Sequence, residues 1–160
     1  MKNKYKKVIV PILILIGILV SLNFYLNSKK ESIQVKKEFN NAIAVKNNKL
    51  SDNVDVEING TLSDTHFMYK GLKFRKDLKG TININGEEYY IYASTSTKNG
   101  TIEGILTKDK DSLVSDFGIT LNENLSGICI YKGNYIIASP ADNIEEVIDI
   151  YKGMVDILIE

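Results

Sequence analysis

GTININGEEYYIYASTSTKNGTIEGILTK, residues 80–108, is the stretch that decides the fold. Apolar and polar residues alternate along it with period two, and Asn-Gly pairs interrupt it twice. Both central positions of a type I′ turn need positive φ, which Asn-Gly supplies with little strain. A turn at Asn85-Gly86 sets Ile84 opposite Glu87 and Ile82 opposite Tyr89. Facing residues share a side, so Ile82, Ile84, Tyr89, Ile91 and Ala93 form an inner face. Thr81, Asn83, Glu88, Tyr90 and Tyr92 form the outer one. A second two-residue turn at Asn99-Gly100 sets Ala93 opposite Leu106 and adds Ile102 and Leu106 to the inner face. Both hairpins put their apolar residues on one side, which predicts an antiparallel meander.

Working outward, Gly133-Asn134 predicts a third hairpin, between 127–131 and 135–139. Cys129, Tyr131, Ile136 and Ala138 fall on one side; Ile128, Ile130, Tyr135 and Ile137 fall on the other. Both sides are apolar, so this hairpin is expected to be covered on both faces. Asn59-Gly60 marks a further turn or a bulge within 54–62, and 111–126 reads as a short helix or an irregular strand.

Two helices are predicted around this sheet. At the C-terminus, Ile144, Val147, Ile148, Tyr151, Met154, Val155 and Leu158 make one apolar stripe. Ser139 is the expected N-cap with Pro140 at the first helical position, and a second capping box follows at 142–145. The wide stripe suits burial within the domain or an interface with a partner. Before the sheet, Val35, Phe39, Ala42 and Ile43 recur at i, i+4, i+7 and i+8, predicting an amphipathic helix over 31–48 with a basic outer face. Asn47 to Asn53 reads as the loop that ends it.

Residues 8–26 are apolar except for Ser21 and Asn23. As a helix they span about 28 Å, near the thickness of a bilayer's hydrocarbon. Lys2, Lys4, Lys6 and Lys7 precede them, and no small-residue cleavage site follows, so an uncleaved signal-anchor is expected. The expected class is therefore α+β: an N-terminal transmembrane helix, then a largely antiparallel sheet packed by an N-terminal amphipathic helix and a C-terminal helix. The organisation reads as a cytoplasmic basic stub over 1–7, a span over 8–26, a juxtamembrane helix and linker over 27–52, and an extracytoplasmic domain over 53–160. The expected location is a cell membrane crossed once, with the N-terminus cytoplasmic.

Formal charge is zero, from 20 Lys+Arg and 20 Asp+Glu. The sum hides an asymmetry: residues 1–49 carry a net +8 and residues 50–160 a net −8. Such a balance argues against a strongly basic nucleic-acid binder. One Cys precludes an intrachain disulfide, and one His precludes a multi-histidine metal site, so no metal or cofactor is expected. No P-loop, dinucleotide fingerprint, nucleophile elbow or HExxH motif is present. Cys129 lies among isoleucines, as a buried structural thiol does, and His66 stands alone. Asp109-Lys110-Asp111 lacks the spaced acids and glycine of a calcium loop.

The acidic region carries one basic island: Lys70, Lys73, Arg75, Lys76 and Lys79. It suits contact with an anionic surface or an acidic partner, or the charged guard of an edge strand. Tyr90 and Tyr92 suit an aromatic contact platform, or the seat of a covering helix. These seven residues are the candidate contact site. The expected function is a non-catalytic, membrane-anchored binding or scaffold protein of a bacterial-type cell envelope. Its expected partners are the bilayer through 8–26 and a protein partner or second copy. The alternatives are an envelope enzyme and an inhibitor or sensor module.

Overall fold

The structure, a computed structural model, describes residues 2–28, 31–68, 72–96, 100–112 and 114–155. A helix, α1 (Lys2–Ser28), is followed by eight strands and a C-terminal helix, α2 (Ile144–Val155). The strands are β1 (Ser32–Lys46), β2 (Lys49–Met68), β3 (Leu72–Ile84), β4 (Glu87–Thr95), β5 (Thr101–Thr107), β6 (Phe117–Asn122), β7 (Ile128–Lys132) and β8 (Tyr135–Ser139). Each pairs antiparallel with the next, and β8 pairs with β1 to close a barrel.

The α+β expectation is thereby corrected to an eight-stranded closed barrel. The decisive segment is 31–48, which is a strand and not a helix. Val35 and Phe39 are four apart, a spacing that one face of a helix and one face of a strand both satisfy. The step from Phe39 to Ala42 is odd and would flip faces in a regular strand. A bulge absorbs it: Phe39 pairs with Val56 and Ala42 with Val54, so three steps on β1 meet two on β2. Asn47 and Asn48, with φ of 53° and 59°, then form a two-residue turn into β2. Asparagine tolerates the left-handed region, so Asn-Asn does here what Asn-Gly does elsewhere.

The membrane-spanning expectation for 8–26 is corrected as well. Among the described residues no helix is long and apolar enough to cross a membrane. The single-pass location, with a cytoplasmic stub and an extracytoplasmic domain, falls with that span.

The barrel is apolar inside. Every strand contributes buried residues to one core, from Val35 and Phe39 on β1 through Ile82 on β3 and Ile130 on β7 to Ile137 on β8. Outward positions of the same strands carry Asp55, Glu57, Lys79, Glu88 and Glu103. An apolar interior with a charged exterior is the reverse of a lipid-embedded barrel.

The first hairpin has the expected register, with Ile84 on Glu87 and Ile82 on Tyr89. Asn85 Oδ1 accepts from the Asp55 amide (2.9 Å) and ties this turn to β2. The second hairpin differs. Ile91, not Ala93, faces Leu106, and the Ser96 amide donates to the Thr101 carbonyl (2.6 Å). The register therefore sets Ser96 opposite Thr101, where the expected two-residue turn would set residue 98, and residues 97–99 lie outside the described residues. The shift is two residues, so Ile102 and Leu106 keep their inward face. Asn59-Gly60 is neither turn nor bulge, because β2 runs straight through it. Gly60 and Gly80 are instead cross-strand partners at a close approach of β2 to β3.

α2 lies on the outside of the barrel against β8, β1, β6 and β7. It seals a second apolar cluster of Ile43, Val45, Ala138, Ala141 and Val147. The third hairpin is thus covered on both faces, by the core within and by α2 without. The cap lies later than expected: Ser139 ends β8, and Asn143 is the N-cap, its Oδ1 accepting from the Glu146 amide (2.9 Å). Glu146 reaches back to the Asp142 amide (2.8 Å), so one turn carries reciprocal bonds. Asn143→Ala should lower stability by about 1 kcal/mol in urea unfolding. A change under a few tenths would mean that α2 is held by packing alone.

Candidate functional site

β2 and β3 continue beyond the barrel wall. β3 pairs with β2 from Leu72 onward, but with β4 only from Asp77 onward. The basic island sits where β3 leaves the barrel. Odd positions of β3 point outward here and even positions inward, as buried Leu78 and Ile82 show. The island is therefore divided between two faces.

On the outer face, Arg75, Asp77, Lys79, Tyr92, Ala93 and Ser94 line a shallow recess of about 160 Å³. Arg75 Nε donates to Asp77 Oδ1 (3.1 Å), and its guanidinium also donates to the Ser94 hydroxyl. These bonds hold the fork across β3 and β4, since Asp77 and Ser94 are register partners. Lys79 and Tyr92 are the next outward-facing partners along. The Tyr92 hydroxyl donates to the Lys110 carbonyl (2.7 Å), which fixes the ring at the recess edge. The cover over Tyr92 is thus the segment after β5 and not a helix, because α2 packs on other strands.

Lys76 is on the opposite face of the ribbon, at a smaller recess of about 80 Å³ with Glu31, Ile33, Leu62 and Asp64. Tyr90 is half-buried on the outer face, across from Thr81 and Thr107, one position beyond the recess. Lys70 and the side chains of Lys73 and His66 lie outside the described residues. Of the seven candidates, the structure gathers Arg75, Lys79 and Tyr92.

Chemistry elsewhere is sparse. Burial pushes the Cys129 thiol up to about 12, which keeps it protonated at neutral pH and unfit as a nucleophile. Among the described residues no three His, Cys, Asp or Glu are grouped to hold a metal ion.

One arrangement was not foreseen. Tyr89, Phe117 and Tyr135 close the barrel end at the β3–β4 turn, with centroids 5.5 Å apart for the first pair and 6.3 Å for the second. The Tyr89 hydroxyl donates to Glu87 (2.7 Å), and Lys108 Nζ sits 2.9 Å from the same carboxylate oxygen. The Tyr89 and Lys108 bonds hold Glu87 below the usual carboxylate range, and the bond to Glu87 raises Lys108. Burial raises Tyr89. This is a structural stopper: Tyr89 and Lys108 both spend their polar groups on Glu87. The sequence signal was partial: Tyr89 read as inward, whereas Phe117 lay in the ambiguous 111–126 stretch.

No protein-family model, curated protein or solved structure matches the chain.

Proposed function

We propose that the protein is a non-catalytic binding module that holds an acidic protein partner on the outer face of β3 and β4. The observation that carries this reading is the convergence of Arg75, Lys79 and Tyr92 on one recess. It interrupts a region, 50–160, whose net charge is −8. A guanidinium pre-set by Asp77 and Ser94 loses little side-chain freedom on meeting a carboxylate, and a guanidinium fork donates to two oxygens at once. A neighbouring tyrosine adds apolar contact area with a fixed ring. The packed interior leaves recognition to the surface, since a barrel of eight strands is just wide enough to be filled by its own side chains.

Titrating the full chain with a glutamate-rich peptide tests this. Binding should weaken with rising salt, because exposed charges are screened. The double reversal Arg75→Glu/Lys79→Glu should lower affinity on the order of tenfold or more, since two attractive pairs become repulsive. Affinity unchanged by both salt and reversal would sink the reading.

A further inference from the structure

We infer that a second recess, on the outer wall where β8 joins β1, binds a primary ammonium group on an alkyl stem, the head of a lysine side chain or of a free alkylamine. It is separate from the recess on β3 and β4 and does not rest on the preceding proposal.

Asn41, Ile43, Asn53, Ala141 and Asp142 line this hollow of about 310 Å³. Ile43 is buried in the cluster beneath α2, so it points out of the barrel. Asn53 is its register partner on β2 and shares that face. Phe39 points into the core, and in a regular strand Asn41 would follow it inward. The bulge between Phe39 and Ala42 turns Asn41 outward instead, beside Ile43. Asp142 comes from the link between β8 and α2.

None of these three polar side chains is used to hold the fold. Among the described residues, neither Asn41 nor Asn53 has a side-chain hydrogen bond, and the Asp142 carboxylate has none. The cap of α2 is complete without that carboxylate. Asn143 Oδ1 accepts from the Glu146 amide, and Glu146 accepts from the Asp142 backbone amide. Glu145 and Glu146 already answer the positive end of the helix.

The donor count selects the ligand. An ammonium head carries three N–H donors and no acceptor. One carboxylate and two amide oxygens supply three acceptors and the opposite charge. No Lys or Arg lines the hollow to compete. Ile43 and Ala141 are both buried and give a methylene stem an apolar floor. A net charge of −8 over 50–160 draws cations toward this wall. Calcium is served less well, because it takes about six to eight oxygens and these side chains supply four at most. An anion would meet the charge of Asp142.

The test follows the isotopically labelled full chain by NMR during titration with three probes: capped Gly-Lys-Gly, the same peptide acetylated on the lysine nitrogen, and butylamine. The expected result is saturable shifts at the Asn41 and Asn53 side-chain amides with the lysine peptide, and affinity about tenfold or more weaker for the acetylated one. Butylamine binding as tightly as the peptide would assign the site to free amines, and tighter binding of the peptide to a protein lysine. Asp142→Asn should weaken the lysine peptide about tenfold or more while the urea midpoint stays near the parent's, since the backbone amide that meets Glu146 is kept. Should that variant lose its fold, Asn53→Ala, on an exposed strand position, gives the same reading. Equal binding of the acetylated peptide, shifts that leave out Asn41 and Asn53, or no binding by either amine would overturn the inference.

Discussion

Gly80→Val should cost the barrel a large share of its stability. A side chain at Gly80 would land on the Asn59 carbonyl oxygen and the Gly60 Cα, and one at Gly60 would come within 2.7 Å of the Lys79 carbonyl oxygen. These are backbone atoms in a paired ladder, so no rotamer change relieves the overlap. Gly104→Val should behave alike, because its added atoms would strike the Tyr92 carbonyl oxygen and lie 2.6 Å from the Ala93 Cβ. A loss of about 4 kcal/mol or more is expected for each, against a typical total of roughly 5–15 kcal/mol for a native protein. Urea unfolding followed by circular dichroism measures it. Gly153→Ala is the matched control: nothing lies within 4 Å of that site in α2, and the change should stabilise by up to about 1 kcal/mol. If Gly80→Val stayed within 1 kcal/mol of the parent, the close approach of β2 and β3 would be wrong.

Alkaline pH should destabilise the fold through Cys129. Its thiol is fully buried, and burial lifts it from 9.0 to about 12. The folded state thus favours the neutral thiol, while the unfolded chain ionises it near 9. The contribution is fully present below pH 9 and is lost as pH rises toward 12, at about 1.4 kcal/mol per pH unit. Cys129→Ala should flatten that slope, although it opens a small void that costs some stability at neutral pH. Burial raises Tyr131 and Tyr135 too, so part of the alkaline decline persists in the variant. Urea midpoints at neutral pH and at two alkaline values decide it. Parallel declines in parent and variant would mean that the thiol ionises within the fold. The same burial predicts slow alkylation of Cys129 in the native chain.

The first and third hairpins were legible because their turns are two residues long, which leaves the register no freedom. The second was legible in its face and not in its register: Asn99-Gly100 looks like the same turn, but the ladder sets Ser96 opposite Thr101, two residues out of that register. Closure of the sheet was hidden in β1. Its bulge after Phe39 breaks the period of two, and the remaining apolar spacing imitates a helix. At α2 the stripe was plain, and the cap was displaced because Ser139 was needed as the last residue of β8. At the candidate site the basic residues were visible as a run. Their division into two faces was not, since that depends on a strand running straight through 72–84. Asp77 and Ser94, which orient Arg75, carry no signal in a linear sequence.

The seam between β1 and β8 has a kinetic meaning. Only four residue pairs close it, from Ile43 on Ala138 to Lys46 on Tyr135, and the partners lie about ninety residues apart. Every other ladder joins neighbours in the chain and can form as soon as its hairpin exists. Closing so long a loop costs entropy before any contact repays it, which places this step late in folding and makes it slow. A chain still being synthesised holds β1 unpaired on one side until β8 emerges. During that interval its 42–46 segment, Ala-Ile-Ala-Val-Lys, is an exposed apolar edge open to pairing with other chains. α2 follows β8 directly and packs across both strands of the seam, so the segment made just after β8 is the clasp that ends that exposure.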